Sequence, residues 1–102
     1  FTASTNTRQP CGTLTVSVDS VEAMTARAVK YASAKAIKVK LTGELELDLS
    51  RVRSIRAARP DVWLGVDANQ GYSIDQLPAL VRGLCEQRVL LLEQPLPRGR
   101  SR

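Results

Sequence analysis

An α/β fold of four parallel strands joined by crossover helices is what the sequence predicts, and three observations carry that reading. Four short β-branched or apolar runs recur, at 14–18, 36–41, 62–66 and 89–92. Their centres, near Val16, Val39, Gly65 and Leu91, lie 23, 26 and 26 residues apart, which leaves room for a helix each time where a hairpin would need only a short turn. The intervening segments, finally, carry cap residues followed by helical periodicity.

Taken in order, residues 1–12 are rich in Thr, Ser, Asn and Gln, contain Pro10 and show no apolar period, so a loose arm is expected there. An α/β body is expected over 13–97, and a basic tail over 98–102. After the first run, Asp19 with Glu22 three residues on resembles a capping box, and Val21, Met24, Ala28 and Ala32 share one helical face. A helix should follow. In the next segment Leu49, Val52 and Ile55 recur at spacing three, Arg51, Arg53, Arg56 and Arg59 stand off that stripe, and Pro60 stops the helix. Those arginines are expected on the wet face. Ser73 with Gln76 repeats the cap pattern ahead of Ile74, Leu77, Leu80, Val81 and Leu84. Pro78 falls later than proline prefers, which predicts either a kink or a later start.

Composition narrows the function classes. The chain has 102 residues, 43% apolar and 25% charged, enough for one core. A closed eight-stranded α/β barrel typically needs roughly 250 residues. The net charge is +5, but Arg98, Arg100 and Arg102 crowd the last positions, and without them 12 basic residues face 10 acidic ones. With aromatics at only 4% and scattered, no basic, aromatic-lined stripe exists, so no nucleic-acid partner is expected. The longest apolar run, at 89–92, is far short of the roughly 20 residues of a membrane span. No membrane partner is expected, and with no leader in view a cytoplasmic location is the expectation. Cys11 and Cys85 lack metal-ligand spacing and are expected as reduced thiols, and the absence of histidine removes the commonest general base.

Parallel α/β folds gather reactive groups at the carboxyl ends of their strands. Lys38 and Lys40, two apart on the second strand, point to one side of the sheet. Two readings stand: lysines guarding an edge strand, or a general base with a cationic helper. Asp67 closes the third strand within Asp67-Ala68-Asn69-Gln70-Gly71, and serves equally as a turn residue or as a ligand. Glu93 closes the fourth apolar strand, where a carboxylate needs a partner or solvent. Asp67 and Glu93, leaving neighbouring strands at the same end, suit a shared hard cation, Mg²⁺ or alternatively Mn²⁺.

Lys38-Val39-Lys40, then Val66-Asp67-Ala68-Asn69-Gln70-Gly71, then Leu92-Glu93-Gln94-Pro95-Leu96-Pro97, in that order, resemble the enolase superfamily. Within it they are most similar to the muconate-lactonising branch and its dipeptide epimerases. The resemblance covers residues 14–97, including Arg51-Val52-Arg53-Ser54-Ile55-Arg56 and Ala58-Arg59-Pro60-Asp61. It implies half of a TIM-like (β/α) barrel and metal-assisted proton abstraction next to the carboxylate of a small acid or dipeptide. Lys40 would be the base, Lys38 its electrostatic helper, Asp67 and Glu93 metal ligands, and Asn69 a support behind them.

The family's pattern continues beyond this stretch, with a third acidic ligand on a fifth strand, a lysine for the substrate's other face on a later one, and a capping domain ahead of the barrel. None has a counterpart in these 102 residues, so the isolated chain is expected to be inactive and to bind Mg²⁺ weakly. Self-association, most economically a homodimer closing the barrel, is expected to cover the strand edges. The alternative is a self-associating half-barrel with no enzymatic role.

Overall fold

The computed structural model describes residues 9–96. The expected tail at 98–102 and residues 1–8 of the expected arm lie outside the described residues, and residues 9–12 carry neither helix nor strand. The described chain runs β1 (Leu14–Val16), α1 (Val21–Lys30), β2 (Ala36–Lys40), α2 (Leu45–Ala58), β3 (Trp63–Asp67), α3 (Leu77–Glu86) and β4 (Leu91–Glu93). The four strands form one sheet in sequence order, every pairing parallel. This is the order of a barrel wall, whereas a doubly wound sheet would reverse it.

Register divides the sheet into two chemically distinct faces. Val16, Val39 and Val66 align across the first three strands, as do Leu14, Ile37 and Leu64, and Val66 continues to Leu92. All but Leu14 are buried, and they form one cluster with Met24 and Ala28 of α1, Val52 and Ile55 of α2, and Leu80 and Leu84 of α3. Side chains alternate along a strand, so Lys38, Lys40, Gly65, Asp67, Leu91 and Glu93 fall on the opposite face. The helices therefore leave free the face that carries the charged residues.

Local chemistry corrects several expectations about the helices. The N-cap of α1 is Ser20, whose Oγ accepts the Ala23 N–H at 3.1 Å, while Asp19 accepts the Ser20 N–H and pairs with Arg27 at 3.0 Å. Asp19 thus braces the cap residue, and Ala32 lies past the helix end at Lys30. α3 starts late, with Pro78 in its first turn, where its missing N–H costs nothing. Ser73 is not its cap: the Ser73 N–H and hydroxyl bond to Gln76 Oε1 in the preceding turn, leaving Ile74 exposed.

The arginines of α2 depart furthest from expectation. Arg53 is exposed as expected, but Arg51 and Arg56 are buried. Arg56 donates five hydrogen bonds to backbone carbonyls, from Nε to Gln87, from one terminal nitrogen to Arg59, Pro60 and Val62, and from the other to Arg88. Arg59 similarly holds the carbonyls of Ala28, Tyr31, Ala32 and Ala34 after α1. A guanidinium carries five N–H donors in a rigid fork, which suits it to gather carbonyls that end helices and loops. Cys11 and Cys85 are free and exposed.

Candidate active site

On the face free of helices, Lys40, Asp67 and Glu93 occupy one row across β2, β3 and β4. Neighbouring strands lie about 4.8 Å apart, so this row places an ammonium and two carboxylates side by side. Both acids are the last residues of their strands, as expected. One row back are Lys38, Gly65 and Leu91. Lys38 reaches diagonally past Gly65 so that its Nζ lies 3.1 Å from Glu93 Oε1, with the Lys38 side chain 18% exposed and that of Glu93 38%. The partner that a carboxylate closing an apolar strand requires is thus Lys38. Of the two readings of the lysine pair, an edge guard is excluded, because β2 lies between β1 and β3.

Between them, Gly65 leaves room for the Trp63 ring. A Cβ there would stand 2.9 Å from the Trp63 ring and 3.3 Å from Leu91 Cβ. Trp63 is the chain's single tryptophan, so Gly65→Ala should report directly: the displaced indole is expected to shift its fluorescence emission to longer wavelength. An unchanged emission spectrum would show that the ring does not depend on Gly65.

Asp67 fulfils its turn reading without exhausting its carboxylate. Its Oδ1 accepts the Asn69 N–H at 2.8 Å, and Asn69 and Gln70 follow with φ of 54° and 62°. Asparagine tolerates this left-handed backbone better than most residues. Asn69 itself is exposed, and its backbone, by bonding Asp67, orients that carboxylate. Asp67 Oδ2 and Glu93 Oε2 accept no hydrogen bond from the described residues. Two adjacent oxygen donors of this kind fit a hard divalent cation as part of a donor set. Among the described residues no group of three or more His, Cys, Asp or Glu side chains gathers to complete it.

Behind the row stands a buried cluster that sequence reasoning missed. Asp48, fully buried in the first turn of α2, accepts from the Thr42 N–H and hydroxyl, the Gly43 N–H, Arg51 at 3.1 Å and the Tyr72 hydroxyl at 2.6 Å. Burial first, and then Asp48, push the Tyr72 hydroxyl far above the usual tyrosine range, so it stays protonated and donates. A signal was available: Asp48 falls between Leu45 and Val52 at helical spacing, an acid inside an apolar stripe.

Residues 20–101 match the family model described as "Enolase C-terminal domain-like". The chain is 36% identical over 89 residues to a hydrophobic dipeptide epimerase of Citrifermentans bemidjiense, covering 83% of this chain and 24% of that protein. Against the D-Ala-D/L-Ala epimerase of Cytophaga hutchinsonii the identity is 39% over 88 residues, again 83% of this chain and 24% of the relative. The structure superposes with a TM-score of 0.83 on the dipeptide epimerase of Methylococcus capsulatus complexed with Mg and the dipeptide L-Arg-D-Lys, at 33% identity, over 86% of this chain and 26% of that one. The chain thus spans about a quarter of the length of the curated relatives it matches. With its parallel wall of four strands, its ordered lysine and carboxylate motifs and the match over 20–101, the chain belongs to the enolase C-terminal domain-like family.

Proposed function

We propose that this chain forms one wall of a Mg²⁺-assisted dipeptide epimerase site, and that its residues act on the α-proton of a small carboxylate or dipeptide. The observation that carries this is the row of Lys40, Asp67 and Glu93 on the open face, with Lys38 already paired to Glu93. Lys40 is the proton acceptor, since it stands level with the two acids and no described residue accepts a hydrogen bond from it. Lys38, held by Glu93, contributes positive charge beside the substrate carboxylate and keeps Glu93 in place. Asp67, its Oδ1 anchored by Asn69, and Glu93 would hold the cation, which supplies charge neutralisation for the substrate's oxygens. The relatives' names favour a dipeptide among small carboxylates.

As an isolated polypeptide, the chain is a half-site that self-associates. β1 and β4 each have a strand neighbour on one side only among the described residues, and the charged face has no wall opposite it. A symmetric dimer pairing those edges is the economical cover. It would repeat Asp67 and Glu93 on opposite sides without adding a third ligand to either pair. A cytoplasmic location is part of the same reading; among the described residues no helix is long and apolar enough to cross a membrane.

One experiment tests cation site and assembly together: sedimentation of the 102-residue polypeptide combined with calorimetric Mg²⁺ titration. A dimer with Mg²⁺ affinity of roughly millimolar order is expected, because two carboxylates leave Mg²⁺ most of its waters, and Asp67→Ala should abolish even that. Micromolar binding that survives Asp67→Ala would place the site elsewhere, and a stable monomer at micromolar concentration would end the dimer reading.

A further inference from the structure

The exit loops of three strands meet at one residue that lies outside the proposed site. Tyr72, 1% exposed, donates its hydroxyl to Asp48 Oδ2 at 2.6 Å, and Asp48 in turn holds Thr42 and Gly43, two and three residues past Lys40. The Tyr72 N–H donates to the Pro95 carbonyl at 3.0 Å, two residues past Glu93. Tyr72 itself closes the turn that starts at Asp67. Side chain and backbone of one residue thus join the loop after β3 to the loops after β2 and β4. Two further bonds run in parallel, from the Leu41 N–H to the Asp67 carbonyl and from the Ala68 N–H to the Glu93 carbonyl, both at 2.9 Å.

The loops also touch through their backbones. A Cβ on Gly43 would meet the Gly71 carbonyl oxygen at 2.5 Å, and a Cβ on Gly71 would stand 3.2 Å from the Gly43 Cα. Gly43, at φ +99°, and Gly71 therefore let the β2 and β3 exits approach closer than side chains permit. Such contact has no directional preference of its own, so a hydrogen bond must fix where the two loops sit. The Tyr72–Asp48 bond is the side-chain link that does so: it is buried, short and made to an acid already satisfied on α2 by Arg51, whose Nε is held by the Asp19 carbonyl at 2.9 Å.

We propose that Tyr72 is a positioning residue that sets the relative placement of Lys40, Asp67 and Glu93 by fastening the β3 exit loop to α2 through Asp48 and to the β4 exit through its own amide. This rests on the reading of the Lys40, Asp67, Glu93 row as the site. The alternative is that Tyr72 merely stabilises the fold, as any buried aromatic ring does.

Residue-resolved NMR of Tyr72→Phe separates the two, with Thr25→Val as a matched control. Thr25 bonds Ser54 at 2.7 Å between α1 and α2, a part-buried tie that involves none of the exit-loop residues. In Tyr72→Phe the amide resonances of Leu41, Ala68 and Glu93 are expected to move, and amide exchange at Gly71 and residue 72 to quicken at least tenfold more than at Leu64 and Val66 in the core. Thr25→Val should leave those resonances in place. If Tyr72→Phe instead raises exchange uniformly across loops and core, or its shift changes stop at its sequence neighbours, Tyr72 is a stabilising ring and no more. None of these readouts needs metal or turnover, so they stand or fall apart from the proposed activity. If they hold while Lys40→Ala leaves exchange undiminished in a protein whose open face is covered, the positioning is real and the site assignment fails.

Discussion

Replacing Arg56 with methionine is expected to remove roughly 3–5 kcal/mol of folding stability, a large share of what a chain of this size holds. Methionine keeps the apolar stem but leaves the carbonyls of Arg59, Pro60, Val62, Gln87 and Arg88 without their donors. These carbonyls belong to the turn between α2 and β3 and to the turn between α3 and β4, so one side chain fastens the entries of two adjacent strands. A hydrogen bond from a charged donor contributes about 1.5–3 kcal/mol, and water reaching the half-buried carbonyls recovers part of the loss. No carboxylate of the described residues bonds Arg56; burial first, and then the charge of Arg88, lower its pKa, with Asp61 opposing. The guanidinium remains protonated in folded and unfolded chains alike at neutral pH, so the loss should be insensitive to pH between about 5 and 8. Urea unfolding checks this, with a midpoint lowered by roughly 2 M. Arg56→Lys should recover less than half, because one ammonium cannot span two turns. A midpoint shift under about 0.5 M would mean that the carbonyls find water or other donors at little cost.

Arg56 also shows where the sequence was legible and where it was not. Strand spacing and helical stripes suffice for parallel order, because a 23- to 26-residue repeat admits little besides a strand with its crossover helix. Ends were less legible: β3 runs from Trp63 to Asp67 where the apolar run suggests 62–66, since backbone pairing to β2, not apolarity, decides the last residue. The α2 stripe read at spacing three, Leu49, Val52 and Ile55, puts the arginines outside it. Read at spacing four, Arg56 follows Val52 and Arg59 follows Ile55, on the margin of the buried face. Arginine can be buried there because its donors meet carbonyls that no periodicity reveals, since those carbonyls come from distant turns. For the same reason Lys38, Lys40, Asp67 and Glu93 were legible as candidates from strand ends alone, whereas the Lys38–Glu93 pair and the Tyr72–Asp48 tie depend on register and loop approach.

Lys40→Ala is expected to have the largest effect on chemistry, and its size depends on what covers the open face. Inverting a stereocentre by proton transfer requires an acceptor on one side of the carbon and a donor on the other. The described residues offer Lys38 and Lys40, both on the same face of β2, so the wall alone supplies one side. Two-base racemisation of an Ala-Glu type dipeptide by the 102-residue polypeptide should therefore be absent. A one-base half-reaction is still available to this geometry: Lys40 takes the α-proton and returns a deuteron from solvent to the same face, without inversion. With the face open to water the charges of Lys38, Asp67 and Glu93 act through a high dielectric and are weakened accordingly, so exchange in deuterated water should stay below detection for the polypeptide by itself. Where the remaining walls of a barrel cover the face, water is excluded and the same groups act at full strength. There Lys40→Ala should lower exchange by roughly 10²- to 10⁴-fold, the usual contribution of a positioned base, with little change in dipeptide binding. Mass spectrometry of deuterium uptake, paired with chiral chromatography of the product, measures both outcomes. Racemisation by the isolated polypeptide that vanishes in Lys40→Ala would mean that a second copy supplies the opposite base, and undiminished exchange in a covered Lys40→Ala protein would remove Lys40 from the role assigned to it.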